Sequence, residues 1–84
     1  MKRARKKLDD FLATPHEIVL RIQKEMQAMY PDRKIWQKDV AVAFGFDENV
    51  LTTMKNRGST SIPIFAVKWC LENGLDVAKF VSRQ

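Results

Sequence analysis

Apolar positions along this chain recur at intervals of three and four, and no segment alternates strictly between apolar and polar residues, so the pattern predicts helices and no strands. The first helix opens at Thr14-Pro15-His16-Glu17, where Thr14 can cap the backbone, Pro15 suits the first helical position and Glu17 completes a capping box. Ile18, Ile22, Met26 and Met29 then form one stripe with Val19 beside it, until Tyr30-Pro31-Asp32 ends the run. A shorter second helix is expected from about Trp36 to Phe44, burying Val40, Ala41 and Phe44 and closed by a left-handed Gly45. Asp47 is placed to cap a third helix whose apolar face is Val50, Leu51 and Met54. After a loop at Arg57-Gly58-Ser59-Thr60-Ser61, Pro63 opens a fourth helix with Ile64, Phe65, Val67, Trp69, Cys70 and Leu71, stopped by Asn73-Gly74. Asp76 caps a last short helix bearing Val77, Phe80 and Val81. The expected fold class is all-α, a compact bundle of about five short helices with short connections.

Composition limits this picture without changing it. Eighty-four residues make one domain, and 45% apolar with 30% charged residues is globular rather than disordered composition. A core this small contributes only a few kcal/mol of net stability, so a partner or a weak homodimer would help. No apolar run is long enough to cross a membrane. Met1-Lys2-Arg3-Ala4-Arg5-Lys6-Lys7 resembles the basic front of a signal peptide, but Asp9 and Asp10 interrupt what should be its apolar stretch, so export is not expected. Cys70 is the one cysteine, which allows no intrachain disulfide and fits a reducing cytoplasm.

Charge divides the chain in two. The net charge is +5, and five of the fifteen basic residues (Lys2, Arg3, Arg5, Lys6 and Lys7) fall within the first seven positions. The remainder balances ten basic residues against ten acidic ones. The high pI thus belongs mainly to an arm, residues 1–10, expected to be flexible; residues 8–84 are formally neutral, and the body, residues 11–84, carries ten basic against eight acidic residues.

The informative segment runs from Gln37 to Met54. Two short helices joined by a tight turn must cross steeply. Ala41 is small at the close approach, Gly45 supplies the turn, and Phe44, Phe46, Leu51 and Met54 fill the space beneath. This is the helix-turn-helix pattern, whose second helix enters the DNA major groove. The segment resembles the N-terminal helix-turn-helix domain of the bacteriophage CI repressor family. The residues carrying the resemblance are Gln37, Val40, Ala41, Gly45, Phe46, Leu51 and Met54, followed by Asn56-Arg57-Gly58-Ser59, Ile62-Pro63 and Leu71-Glu72-Asn73-Gly74-Leu75-Asp76. The likeness covers roughly residues 11 to 81. Two features depart from the family pattern: the loop before Ile62-Pro63 is about two residues longer, and Asp47-Glu48 stand where serine, threonine or lysine is more usual. The C-terminal oligomerisation or peptidase part of many relatives is not within this sequence.

On this reading, the face of the third helix opposite its apolar side offers Glu48, Asn49, Thr52, Thr53 and Asn56 to bases. Asn pairs with adenine, Thr offers a hydroxyl or methyl group, and Glu accepts from cytosine. The resemblance implies that Gln37 touches the DNA backbone and braces the recognition helix, here by donating to Glu48. Lys38, Lys55 and Arg57, at the ends of the motif, are the phosphate candidates. The blander readings stand beside these. Asp47 and Glu48 serve equally well as a cap and a dipole partner, Thr52 and Thr53 as solvent-facing residues, and Asn56-Arg57-Gly58 as a helix end. The arm is either a solvated tail or, the better bet beside such a motif, a phosphate or minor-groove contact.

The remaining chemistry is sparse. His16, the only histidine, sits in a capped first turn and is expected to be exposed. One His and one Cys make no zinc site, and no nucleophile–base pair or glycine-rich phosphate loop is present. No metal, no cofactor and no enzymatic activity are expected. Cys70 reads as core, and Trp36 and Trp69 as packing anchors. The resemblance implies a cytoplasmic regulator, bacterial or phage-encoded, occupying an inverted-repeat operator as a dimer with Val77, Phe80 and Val81 as its contact. Two rivals remain: a protein-interaction module that keeps the fold, and non-specific attachment to nucleic acid or an anionic surface through the arm alone.

Overall fold

The computed structural model describes residues 11–57 and 61–83. Five helices are present among them: α1, Pro15–Met29; α2, Gln37–Phe44; α3, Glu48–Arg57; α4, Ser61–Glu72; and α5, Val77–Val81. The fold is a small all-α bundle, and no named strand occurs among the described residues.

Local chemistry explains where the helices begin and end. Thr14 takes an extended conformation, and its hydroxyl accepts from the Glu17 amide at 3.2 Å. The expected capping box is only half made, because the Glu17 carboxylate turns to Arg21 Nε at 3.3 Å, one turn along the same face. Asp47 Oδ1 caps α3 by accepting from the Val50 amide at 3.0 Å, and Asp76 Oδ1 caps α5 through the Ala78 amide at 3.1 Å. At the end of α2, Gly45 adopts a φ of 97°, its amide donates to Val42 O at 3.0 Å and the Phe46 amide donates back to Ala41 O at 3.0 Å. These two bonds define a Schellman turn. A Cβ built on Gly45 would meet nothing within 4 Å, so the backbone conformation and not crowding calls for glycine.

The core is one apolar cluster around α1, which contributes the buried Ile18, Val19, Ile22 and Met26. α2 adds Val40, Ala41 and Phe44, and α4 adds Ile62, Pro63, Ala66, Trp69 and Cys70. Ile35, from the connector before α2, is buried with them. Among the described helices, α5 packs on α1 and α4. Its Phe80 ring meets Trp69 edge-on, with centroids 5.9 Å apart.

Several expectations about apolar faces need correction. Phe80 and Val81 are only 4% and 8% exposed, and with half-buried Val77 they belong to the domain's own core. Val77, Phe80 and Val81, expected as a dimer contact, thus turn most of their surface inward and leave little of it exposed. Met29 and Trp36 are exposed, so the α1 stripe stops at Met26 and Trp36 is not a packing anchor. On α4, which begins two residues before Pro63, Ile64 and Leu71 face outward.

The two ends of the described chain are tied together. The Ala13 amide donates to Val81 O and the Arg83 amide to Phe11 O, both at 2.8 Å, while Arg21 Nη1 reaches Ser82 O at 2.6 Å. No helix among the described residues is long and apolar enough to cross a membrane.

Candidate nucleic-acid interface

α2 and α3 are joined through Gly45, Phe46 and Asp47 and held over α4 by three aromatic rings. Phe44 stacks on Phe65 at 5.9 Å, and Phe46 meets both edge-on, at 6.0 and 5.2 Å between centroids. The turn is thereby fixed to the body of the domain, and the orientation of α3 with it.

α3 has one fully buried side chain, Leu51, with Met54 and Lys55 half-buried beside it. At about 100° per residue, Thr52, Asn56, Asn49 and Thr53 fall in that order on a single arc of roughly 100°. All four are exposed. Glu48, also exposed, stands on one shoulder of this arc next to Lys55. Arg57 and Val50 stand on the other. The five side chains picked out from the sequence as base contacts are thus brought to solvent on one face.

Val50 was misassigned to the apolar side. It is 42% exposed: Leu51 fills the contact with the core, and Val50, about 100° around the helix from it, stands at the edge of the buried side next to half-buried Met54. Spacing alone does not reveal this exposure: an apolar residue at the edge of a helix face gives no signal of how far its neighbours cover it.

Gln37 does brace α3, but not as expected. Its Oε1 accepts from Lys55 Nζ, so the brace reaches the C-terminal half of α3 and not Glu48 at its start. The amide's N–H arm carries the donors a phosphate accepts from. Lys38 and Arg57 are exposed, and Lys55 is partly committed to Gln37. α3 is therefore polarised, with Asp47 and Glu48 at its start and Lys55 and Arg57 in its last turn, as the helix dipole favours.

Lys2, Arg3, Arg5, Lys6 and Lys7 lie outside the described residues. Phe11, where the arm joins the body, is bonded to Arg83 beside α5, and α5 contacts neither α2 nor α3.

Elsewhere, His16 is exposed, and Trp69 and Cys70 are buried as the sequence reading had them. Burial pushes the Cys70 thiol pKa up, with Asp76 and Glu25 adding smaller contributions in the same direction. Among the described residues no group of three or more His, Cys, Asp or Glu side chains converges to hold a metal ion. A surface hollow of about 460 Å³ opens among Ala13, Thr14, Glu17, Arg21 and Arg83, and one of about 180 Å³ among residues that include Phe65, Lys68, Trp69 and Glu72. Neither is lined by α3. Compared with protein-family models, curated proteins and solved structures, the chain has no match that assigns it to a family or a neighbour.

Proposed function

We propose that this domain binds double-stranded DNA sequence-specifically and acts as a transcriptional regulator of phage-repressor type, occupying an operator through the major groove. The observation that carries the reading is the polar arc on α3: Asn49, Thr52, Thr53 and Asn56 exposed together on a helix held by a glycine turn. These groups hydrogen-bond to base edges, and a good bidentate pair discriminates by about 1–3 kcal/mol. Val50 on the flank supplies an apolar surface for a thymine methyl group. Glu48 accepts from a cytosine amine or serves only the helix start. Gln37, Lys38 and Arg57 contact phosphates and set the register. The arm adds affinity and salt dependence without sequence information. The chain needs no cofactor for this and is non-enzymatic.

Selection from a random duplex pool at near-physiological salt, with the intact 84-residue chain, tests the proposal. Enrichment of one motif is expected, and loss of that preference when Asn49 and Thr53 are both replaced by Ala. Failure to enrich any motif overturns it. The motif also reads the assembly, since an inverted repeat with half-sites about one helical turn (~34–36 Å) apart requires two copies.

A second reading, a protein-interaction module, draws on α4. Ile64 and Leu71 are 67% and 69% exposed and share one side of the helix. Under that reading the Asn49/Thr53 double variant changes nothing, and charged substitutions at Ile64 and Leu71 abolish partner binding.

A further inference from the structure

The connector between α1 and α2 carries two exposed aromatic rings within seven residues, Tyr30 and Trp36, the latter 54% exposed. Neither serves the core, where Ile35 is the connector's buried residue. Each has a cation over it: the Arg33 guanidinium lies 5.3 Å from the Tyr30 ring centroid, and Lys34 Nζ lies 5.3 Å from that of Trp36. The segment is held rigidly for a loop. Gln27 uses both ends of its amide, accepting from the Ile35 amide at 2.9 Å while donating to Tyr30 O at 3.1 Å and Arg33 O at 2.7 Å. Gln23 donates to Ile35 O at 3.1 Å.

The connector also lies against the interface already described. Trp36 immediately precedes Gln37, whose side chain touches Lys55 of α3, and exposed Lys38 follows. The local acids are Asp32 and Asp39. Asp39 is engaged on both oxygens, accepting from the Trp36 amide at 2.7 Å and facing Arg33 Nη1 at 3.8 Å. The basic groups (Arg33, Lys34 and Lys38) thus outnumber the acidic ones by one here, half of the excess of two that residues 11–84 carry in all.

We infer that this connector is a second duplex-binding element, in which Lys34 and Arg33 donate to backbone phosphates while Trp36 and Tyr30 hold those two cations in position. The inference rests on the DNA-binding reading above. A cation already confined against a ring gives up less freedom when it meets a phosphate than one on a free stem. Bases of a single strand stack on ring faces, and here a cation already lies over one face of each ring, which tilts the element toward phosphates; competition by a single strand, below, separates the two. Such contacts position the protein and carry no sequence information.

The test compares salt dependence of binding for the intact chain and its variants, on a mixed-sequence duplex and on any selected motif. Each phosphate contact contributes a log–log slope of about 0.9. Arg33→Gln with Lys34→Gln should therefore lower the slope by up to about 1.8 on every duplex and weaken binding roughly tenfold. Trp36 makes its cap bonds through the backbone, so Trp36→Ala should keep the fold, checked by thermal melting. It should weaken binding roughly threefold through a less confined Lys34, and Trp36→Phe should recover most of the loss. An unchanged slope in the Arg33/Lys34 variant overturns the inference. If Asn49→Ala with Thr53→Ala still removes sequence preference in that case, the DNA-binding reading survives. Duplex binding without preference, but with the slope change, sinks the sequence-specific reading and supports the connector. No duplex binding at low salt, or better competition by a single strand of equal length, overturns the inference as well.

Discussion

α1 and α3 are both amphipathic helices with an acidic first turn and a side-chain cap, yet the domain uses them in opposite ways. α1 buries four apolar side chains and touches every other helix, whereas α3 buries Leu51 alone and leaves most of its surface to solvent. Core packing is concentrated in the first and exposed polar surface in the second. A helix that leaves its polar groups in solvent has little surface left for packing, and its hold on the domain comes from the turn before it and a few contacts beneath.

The largest effects should follow from removing one core side chain from each helix. Ile22→Ala and Leu51→Ala each delete a fully buried group, and a loss of about 2–5 kcal/mol is expected for both in chemical denaturation. Hydrogen exchange should separate them. The Ile22 variant loses protection throughout the domain, whereas the Leu51 variant loses it first in α3. Equal, global loss in both would mean that α3 is as integral to the core as α1. Gly45→Ala comes next. Forcing an L side chain into the left-handed conformation costs about 1–2 kcal/mol, and a melting curve unaffected by the change would show that the turn relaxes.

Replacing Asn49 and Thr53 by Ala should shift stability by no more than about 0.5 kcal/mol. Sequence preference in a competition assay should nevertheless disappear. A marked fall in the melting temperature would show that these side chains also support the fold and would blur the division. The smallest effect is a pH slope. Because burial raises the Cys70 thiol pKa in the folded state, the folded chain holds its proton where the unfolded chain releases it. Stability from this source is complete below the unfolded thiol value of about 8.5 and is lost as pH rises above it. Cys70→Ala should flatten that part of the stability–pH profile relative to the parent. An identical slope in both would assign the alkaline loss to other groups.

The parts of this molecule that the sequence announced are local. Thr14, Asp47 and Asp76 were readable as caps because each meets an amide two or three residues away. Gly45 and Gly74 were readable as helix ends because a positive φ is cheap for glycine. The exposed arc of α3 was also legible, since helical spacing separates Asn49, Thr52, Thr53 and Asn56 from Leu51 whatever the helix packs on. The assignment of the apolar residues was less secure. Phe80 and Val81 were expected on a partner surface but pack inside, and Trp36 and Val50 were expected inside but stand in water.

By itself, then, the sequence determined the all-α class, the five helices of the described residues with their caps and stops, and the polar face of α3, since these depend on the backbone and on neighbours within a turn. Only the tertiary structure decided which apolar residues are covered, that Gln37 braces Lys55 from eighteen positions away, and that Phe11 and Ala13 meet Arg83 and Val81 beside α5. Those outcomes depend on where one helix crosses another. An apolar side chain records a preference for leaving water, but not which neighbour will receive it.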